Sequence, residues 1–213
     1  MGITKTSPRR DQILEVAAEH FARRGFAGTS MRSLAHDVGI TAAAIYRHYP
    51  SKLALFESVI EAGTHGGEIR DYLQTLRPLQ DIEDVLRSVS LHLLTNARQH
   101  PELLRLLLVT SVCDEDDAAL KLLKEFRGPY VEFLQEELGR RIQSGEIRPV
   151  DPGITARCYV GMVIGCAINT NLWNQIEGVR QQHTLAIIDN NVPIFARGLR
   201  LHQRLSREDG DFE

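Results

Sequence analysis

Between Gly25 and Ser51 the chain carries a start or stop signal every few residues, and this punctuation constrains the fold more than any other feature. Gly25 can take the left-handed conformation that ends a helix, and Thr29 or Ser30 can cap the next one. Met31, Leu34, Ala35 and Val38 then recur at three- and four-residue spacing until Gly39 stops the run. Thr41 can cap a third helix at once. That helix, Ala42 to Tyr49, is barely two turns long, because Pro50 lacks an N–H and bars helical geometry at Tyr49. Ser51 caps the next. Two short helices joined by so tight a turn make a helix-turn-helix, whose second helix lies in the DNA major groove.

The preceding segment supplies the third helix of such a head. Ser7 can cap it, Pro8 suits its first position, and Ile13, Leu14, Ala17 and Phe21 form one apolar face that ends at Arg24. With Leu34, Val38, Ile40 and Ile45 these residues predict a miniature core. An ordinary helical hairpin would explain the apolar positions. It would not explain an outward set of Arg32, Thr41, Tyr46, Arg47, His48, Tyr49 and Lys52. Charge points the same way. Residues 1–52 hold eight Lys or Arg against four Asp or Glu, although the whole chain is at −3, so a basic head sits on an acidic body and can meet a polyanion. Arg9 and Arg10, at or before the first helix, could reach a minor groove as an arm or be a solvated basic start.

No later segment sustains the alternation of a strand, so the reading is all-α: a three-helix head (1–52), a helical body (53–205) and an acidic tail (206–213) with little to bury. Leu53, Leu55, Phe56, Val59 and Ile60 line the fourth helix, which Gly63 and Gly66-Gly67 should loosen before Arg77-Pro78. Further helices are expected over 81–99, 101–112, 116–144, 152–173 and 184–203, with Pro129 splitting or kinking the long one. Three cysteines without a CxxC pair suit a reducing compartment, and the longest uncharged apolar run, Tyr159 to Ile168, is half the length of a membrane span. The opening MGITKTSPRR has no apolar stretch. The expectation is a cytoplasmic protein with no membrane partner.

A two-turn recognition helix reads too few base pairs to find one site in a genome, so specific binding needs two heads and hence a homodimer. The 152–173 helix is apolar nearly all round, and Gly161 and Gly165, four apart, allow close approach of Ile168 and its neighbours to another helix. Its expected companion carries Leu185, Ile188, Val192, Phe195 and Leu199. Burial inside one protomer is the competing reading of the 152–173 helix.

The stretch GFAGTSMRSLAHDVGITAAAIYRHYPSKLALF, from Gly25 to Phe56, resembles the DNA-binding head of TetR-family transcriptional regulators. Its most telling parts are Thr29-Ser30, Val38-Gly39-Ile40-Thr41, Ile45-Tyr46-Arg47-His48-Tyr49, Ser51-Lys52 and Leu55-Phe56. The likeness covers about the first 60 residues; the body matches only in helical layout. It implies that Thr29, Tyr46, Tyr49 and Lys52 hold phosphates and that Thr41, Ala42, Ala43, Arg47 and His48 lie on or near the groove face, with Ser30 and Arg32 nearby. Hydroxyls and an ammonium suit phosphate oxygens, the alanines suit thymine methyls, and Arg47 alone could grip a guanine bidentately. Ala43 departs from the glycine of many members, which leaves base preference open.

The resemblance further implies that the last two helices form a four-helix dimer interface and that a small effector in the body changes the separation of the heads. Candidate lining residues are Leu106, Val109, Thr110, Cys113, Phe126, Tyr130, Phe133, Met162, Cys166, Asn169 and Trp173, a mostly apolar set that suits an apolar or amphipathic effector. The expected partners are therefore double-stranded DNA, a second copy and a small molecule, with no cofactor and no metal. A regulator without an effector keeps the same head. An enzyme is disfavoured: the chain has no HExxH, GxSxG or phosphate-cradling loop, and helix capping accounts for the Asp114–Asp117 acidic run.

Overall fold

The computed structural model describes residues 8–64, 66–113, 117–173 and 184–201, with side chains for all of these except 8, 64, 66–67, 109–113, 117–123 and 172–173. Its helices are α1 (Pro8–Arg24), α2 (Met31–Val38), α3 (Ala42–His48), α4 (Lys52–Thr64), α5 (Gly66–Thr75), α6 (Ile82–Gln99), α7 (Pro101–Cys113), α8 (Asp117–Gln143), α9 (Pro152–Ile168) and α10 (Thr184–Leu199). A π-helical turn, Asn169–Trp173, prolongs α9. Among the described residues the strand-like pairing is one antiparallel bridge between Ile147 and Arg200, where the Arg148 N–H donates to the Leu199 carbonyl at 2.9 Å.

The head is built by the signals that its sequence displays. Ser30 caps α2 by accepting the Ser33 N–H at 3.1 Å, and Thr41 caps α3 by accepting the Ala44 N–H at 3.2 Å. Gly39 sits at φ +72°, where a Cβ would strain the turn between them. Ser51 accepts the Ala54 N–H at 3.0 Å and opens α4. Ile13, Ala17, Phe21, Leu34, Val38 and Ile45 are buried together. Phe56 closes this core, its ring edge-on to Phe21 and Phe26 at 5.0 and 5.1 Å. The start of α4 thus belongs to the head's packing as much as to the body's, and α1 also packs on α7.

In the body, α8 packs along α9 while α10 packs on α6. Its last turns contain a feature that the sequence reading missed. Arg141 and Glu137 are both fully buried. The Arg141 guanidinium donates to Glu137 at 2.9 Å, to the Gln80 and Leu79 carbonyls at 2.7 and 2.8 Å, and to Glu146. One side chain so ties the end of α8 to the α5–α6 loop, and together with Arg140 it satisfies the buried carboxylate. Burial alone would raise the Glu137 pKa, but hydrogen bonds from Arg140 and Arg141 outweigh it and hold the carboxyl low. An Arg four residues after a Glu reads as a solvated helix pair, so only tertiary placement reveals the lock.

Three expectations need correction or location. Pro129 lies within a continuous α8 instead of splitting it, and Pro193 likewise lies within α10. Helices α4 and α5 are described on either side of residue 65, which lies outside the described residues, as does the side chain of each of residues 64, 66 and 67. Ser7, residues 114–116 of the acidic run and the 206–213 tail lie outside the described residues. No helix among the described residues is long and apolar enough to cross a membrane.

Candidate nucleic-acid interface

The short α3 presents Ala43, Tyr46, Arg47 and His48 to solvent, with Tyr46 50% exposed, and Thr41 is exposed at its cap. Ala42 is half-buried against the core. Ser30 and Arg32 are exposed at the start of α2. Ile45 alone of the α3 residues is fully buried and anchors the helix, while Ala43, Tyr46, Arg47 and His48 are available. This is the arrangement in which a recognition helix can offer one phenol, one guanidinium and one imidazole to a duplex.

Three expected phosphate holders are placed differently. Thr29 is 2% exposed and its hydroxyl donates inward to the Gly25 carbonyl at 2.9 Å, which corrects the expectation of an outward donor. Tyr49 is also 2% exposed; its main-chain N–H ends α3 by donating to the Ile45 carbonyl at 2.9 Å, and its phenol oxygen accepts from Arg10 Nε at 3.3 Å. Desolvation pushes that phenol's pKa up, although Arg10 pulls the other way. Lys52 is half-buried rather than fully outward. Its ammonium donates to the Phe26 and Thr29 carbonyls at 2.8 and 3.2 Å and lies 4.2 Å from the centre of the Phe26 ring. Two of its three N–H donors thus tie down the α1–α2 loop, and the third remains.

Arg9 and Arg10 lie in the first turn of α1, so they are not a free arm. Arg9 donates to Gln12 at 2.7 Å, whereas Arg10 crosses to Tyr49. Sequence reasoning also missed the buried His20, which meets Asp37 at 2.7 Å between α1 and α2 while His36 meets the other Asp37 oxygen at 2.9 Å. Hydrogen bonds from His36 and then His20 hold the Asp37 carboxyl below its usual range. Nothing in the spacing of these residues distinguishes them from surface charges.

In the body, Gly161 is exposed and Gly165 and Ile168 are half-buried on α9. The corresponding reading of α10 is corrected. Ile188, Val192 and Leu199 are buried within the protomer, on the helix that packs against α6, and Phe195 stacks edge-on to Tyr159 at 4.6 Å. The outward apolar residues of this region are instead Ile154, Leu185, Ile194 and Leu201.

Of the expected effector-lining set, Leu106, Phe126, Tyr130 and Phe133 are buried in the core and Met162 and Cys166 pack against it. Asn169 is exposed, so its amide needs no buried partner. The side chains of Val109, Thr110, Cys113 and Trp173 lie outside the described ones. Tyr130 finds the polar partner that its burial demands in His92, whose Nδ1 is 2.8 Å from the phenol oxygen and whose ring stacks on Tyr72 at 4.1 Å. Beside His92 lies a cavity of about 320 Å³ lined by Glu68, Ile69, Thr95, Asn96, Gln99 and His100, far more polar than the expected set.

Residues 13–59 match the family described as bacterial regulatory proteins, tetR family. Over 170 residues the chain is 31% identical to the nucleoid occlusion factor SlmA of Aliivibrio fischeri strain MJ11, covering 78% of this chain and 85% of that one. Among solved structures it is similar to AibR in complex with isovaleryl coenzyme A and operator DNA, at 24% identity and a TM-score of 0.64 over 87% of this chain and 97% of the other. It is also similar to the regulator FadR from Bacillus subtilis in complex with stearoyl-CoA, at 16% identity and a TM-score of 0.65 over 89% of this chain and 99% of the other. Taken with the helix-turn-helix head and the helical body, the likeness along most of its length shows that the chain belongs to the tetR family of DNA-binding regulators.

Proposed function

We propose that this protein is a homodimeric regulator that binds a pseudo-palindromic operator as a repressor and releases it when a small amphipathic molecule enters the body. The observation that carries the reading is α3: seven residues, fixed at both ends and by Ile45, with Tyr46, Arg47 and His48 outward. Residues 1–52 act as the head and 53–205 as the body. Tyr46, the free donor of Lys52, Ser30 and Arg32 serve the phosphates, and Thr41, Ala42, Ala43, Arg47 and His48 serve the groove.

The dimer is supported by a surface left open among the described residues. Ile154 and Ile194 are 55% and 66% exposed, and a Cβ added at Gly161 or Gly165 would meet nothing within 4 Å. Glycine within a helix costs about 1 kcal/mol relative to alanine. The described residues of the protomer give no reason for that cost at these positions, whereas a second copy packed close against them would.

The effector is supported by the acyl-CoA complexes of the two structural neighbours, and an acyl-CoA combines the apolar and polar parts that the body offers. Titrating isovaleryl-CoA and stearoyl-CoA into a protein–operator complex tests it. Release by either supports an induced repressor, and unchanged binding with both opposes this effector class. A second reading, nucleoid occlusion, is favoured by the 31% identity to SlmA across both head and body. Chromatin immunoprecipitation separates the two: one or a few occupied promoters support the operator reading, and sites spread over the chromosome support the other.

A further inference from the structure

Tyr49 is too buried to reach a phosphate itself, yet it ends the recognition helix directly after Tyr46, Arg47 and His48. What it does offer is a seat. Arg10 comes from α1, 39 residues away in sequence, and places its Nε 3.3 Å from the Tyr49 phenol oxygen with its guanidinium carbon 5.5 Å from the ring centre. Arg10 is nevertheless exposed. Its Nη1 and Nη2 make no hydrogen bond to a described residue.

We propose that Arg10 is a phosphate-binding residue of the head, held by Tyr49 at the C-terminal end of α3 so that its two free amino groups grip one backbone phosphate of the duplex. The proposal rests on the reading of α3 as the recognition helix. A guanidinium has five N–H donors in one plane, and fixing Nε on the phenol leaves the Nη edge in the geometry that binds a phosphate bidentately. The planar side chain also loses less freedom on binding because the ring and the phenol already hold it.

Position along the helices supports an external anion. A cation in the first turn of α1 is unfavourable for that helix's dipole, so α1 does not account for the arginine. Burial of Tyr49 keeps the phenol protonated through the physiological range, so it cannot neutralise Arg10. Nor does a carboxylate form an ion pair with Arg10 among the described residues. The charge is left for a partner, and the exposed Arg9, next to it in sequence, and Arg47, two residues before Tyr49, likewise call for an anion.

The test is the salt dependence of binding to a mixed-sequence 30-base-pair duplex, which needs no knowledge of the operator. Each phosphate contact contributes about 0.9 to the slope of log affinity against log salt. The full-length Arg10→Ala and Arg10→Gln variants should each lower the slope by about 0.9 per head, so that raising salt fourfold costs about 3.5-fold less affinity per head than in the parent. Arg10→Lys should keep the slope but bind more weakly, and Tyr49→Phe should do the same because it removes the seat but not the charge. A parent that binds with a normal salt slope, together with unchanged slopes in both neutral variants, would overturn the role of Arg10 alone. A parent that binds no duplex would overturn the recognition-helix reading, and this proposal with it.

Discussion

The head and the body are made of the same helices and are specified by different kinds of information. In the head, consecutive short signals decide each boundary: Ser30, Gly39, Thr41 and Ser51 each make the local bond or dihedral expected of them, within a few residues of the chain. In the body the decisive contacts are remote in sequence. Arg141 reaches Leu79 and Gln80, Arg87 meets Asp189 at 2.5 Å, and Tyr159 donates to the Leu86 carbonyl at 3.0 Å. A region specified locally can be read from sequence and damaged locally. A region specified by remote contacts can be neither read nor damaged in that way.

The sharpest way to break this contrast is to remove a remote contact. Arg141→Ala takes from the buried Glu137 carboxylate one of its two arginine partners and from two carbonyls their donor, and should cost about 3 kcal/mol in urea unfolding. A loss below about 1 kcal/mol would show that the lock is incidental to the body's stability. A local signal is worth less: Gly39→Ala forces a side chain into positive φ and should cost about 1–2 kcal/mol, together with DNA affinity. Smaller still for the protomer is Gly161→Leu, whose side chain starts into open space on α9. It should raise protomer stability by up to about 1 kcal/mol and yet turn a dimer into a monomer in sedimentation. An unchanged dimer would place the interface on another face.

The mildest effect concerns pH. Asp37 has its carboxyl pKa depressed by His36 and His20, so its contribution to stability is present above the unfolded value of 3.8 and is lost as pH falls through the lower folded value. Acid unfolding of Asp37→Asn should therefore be less steep in that window than in the parent, and identical slopes would show that the His20–Asp37 contact carries no linkage.

How far the sequence could be read follows from the same contrast. Arg24 as the end of α1, the caps of α2 to α4 and the buried stripe Met31, Leu34, Ala35 and Val38 were legible because each depends on residues within one turn. The inward bonds of Thr29, Tyr49 and Lys52 are not legible because polar side chains look outward in a sequence, while here they meet the Gly25 carbonyl, Arg10 and the Phe26 carbonyl. Arg10 and Tyr49 lie 39 residues apart, beyond the reach of any periodicity. On α10 the apolar stripe was read correctly as apolar. Which side of it faces α6 and which side solvent is a matter of tertiary packing, and a helix that is apolar on both sides carries no mark of the difference.

The central claim is that two copies of the head read one site together. Fluorescence anisotropy of the purified protein, on duplexes tiled from DNA flanking its own gene and on a scrambled duplex at fixed physiological salt, tests it most directly. The account predicts tight, saturable binding to a tile with two-fold symmetry, at two protomers per half-site pair, and weak binding to the scrambled control. Equally weak, salt-sensitive binding to every duplex, including operators recovered by chromatin immunoprecipitation, would contradict it.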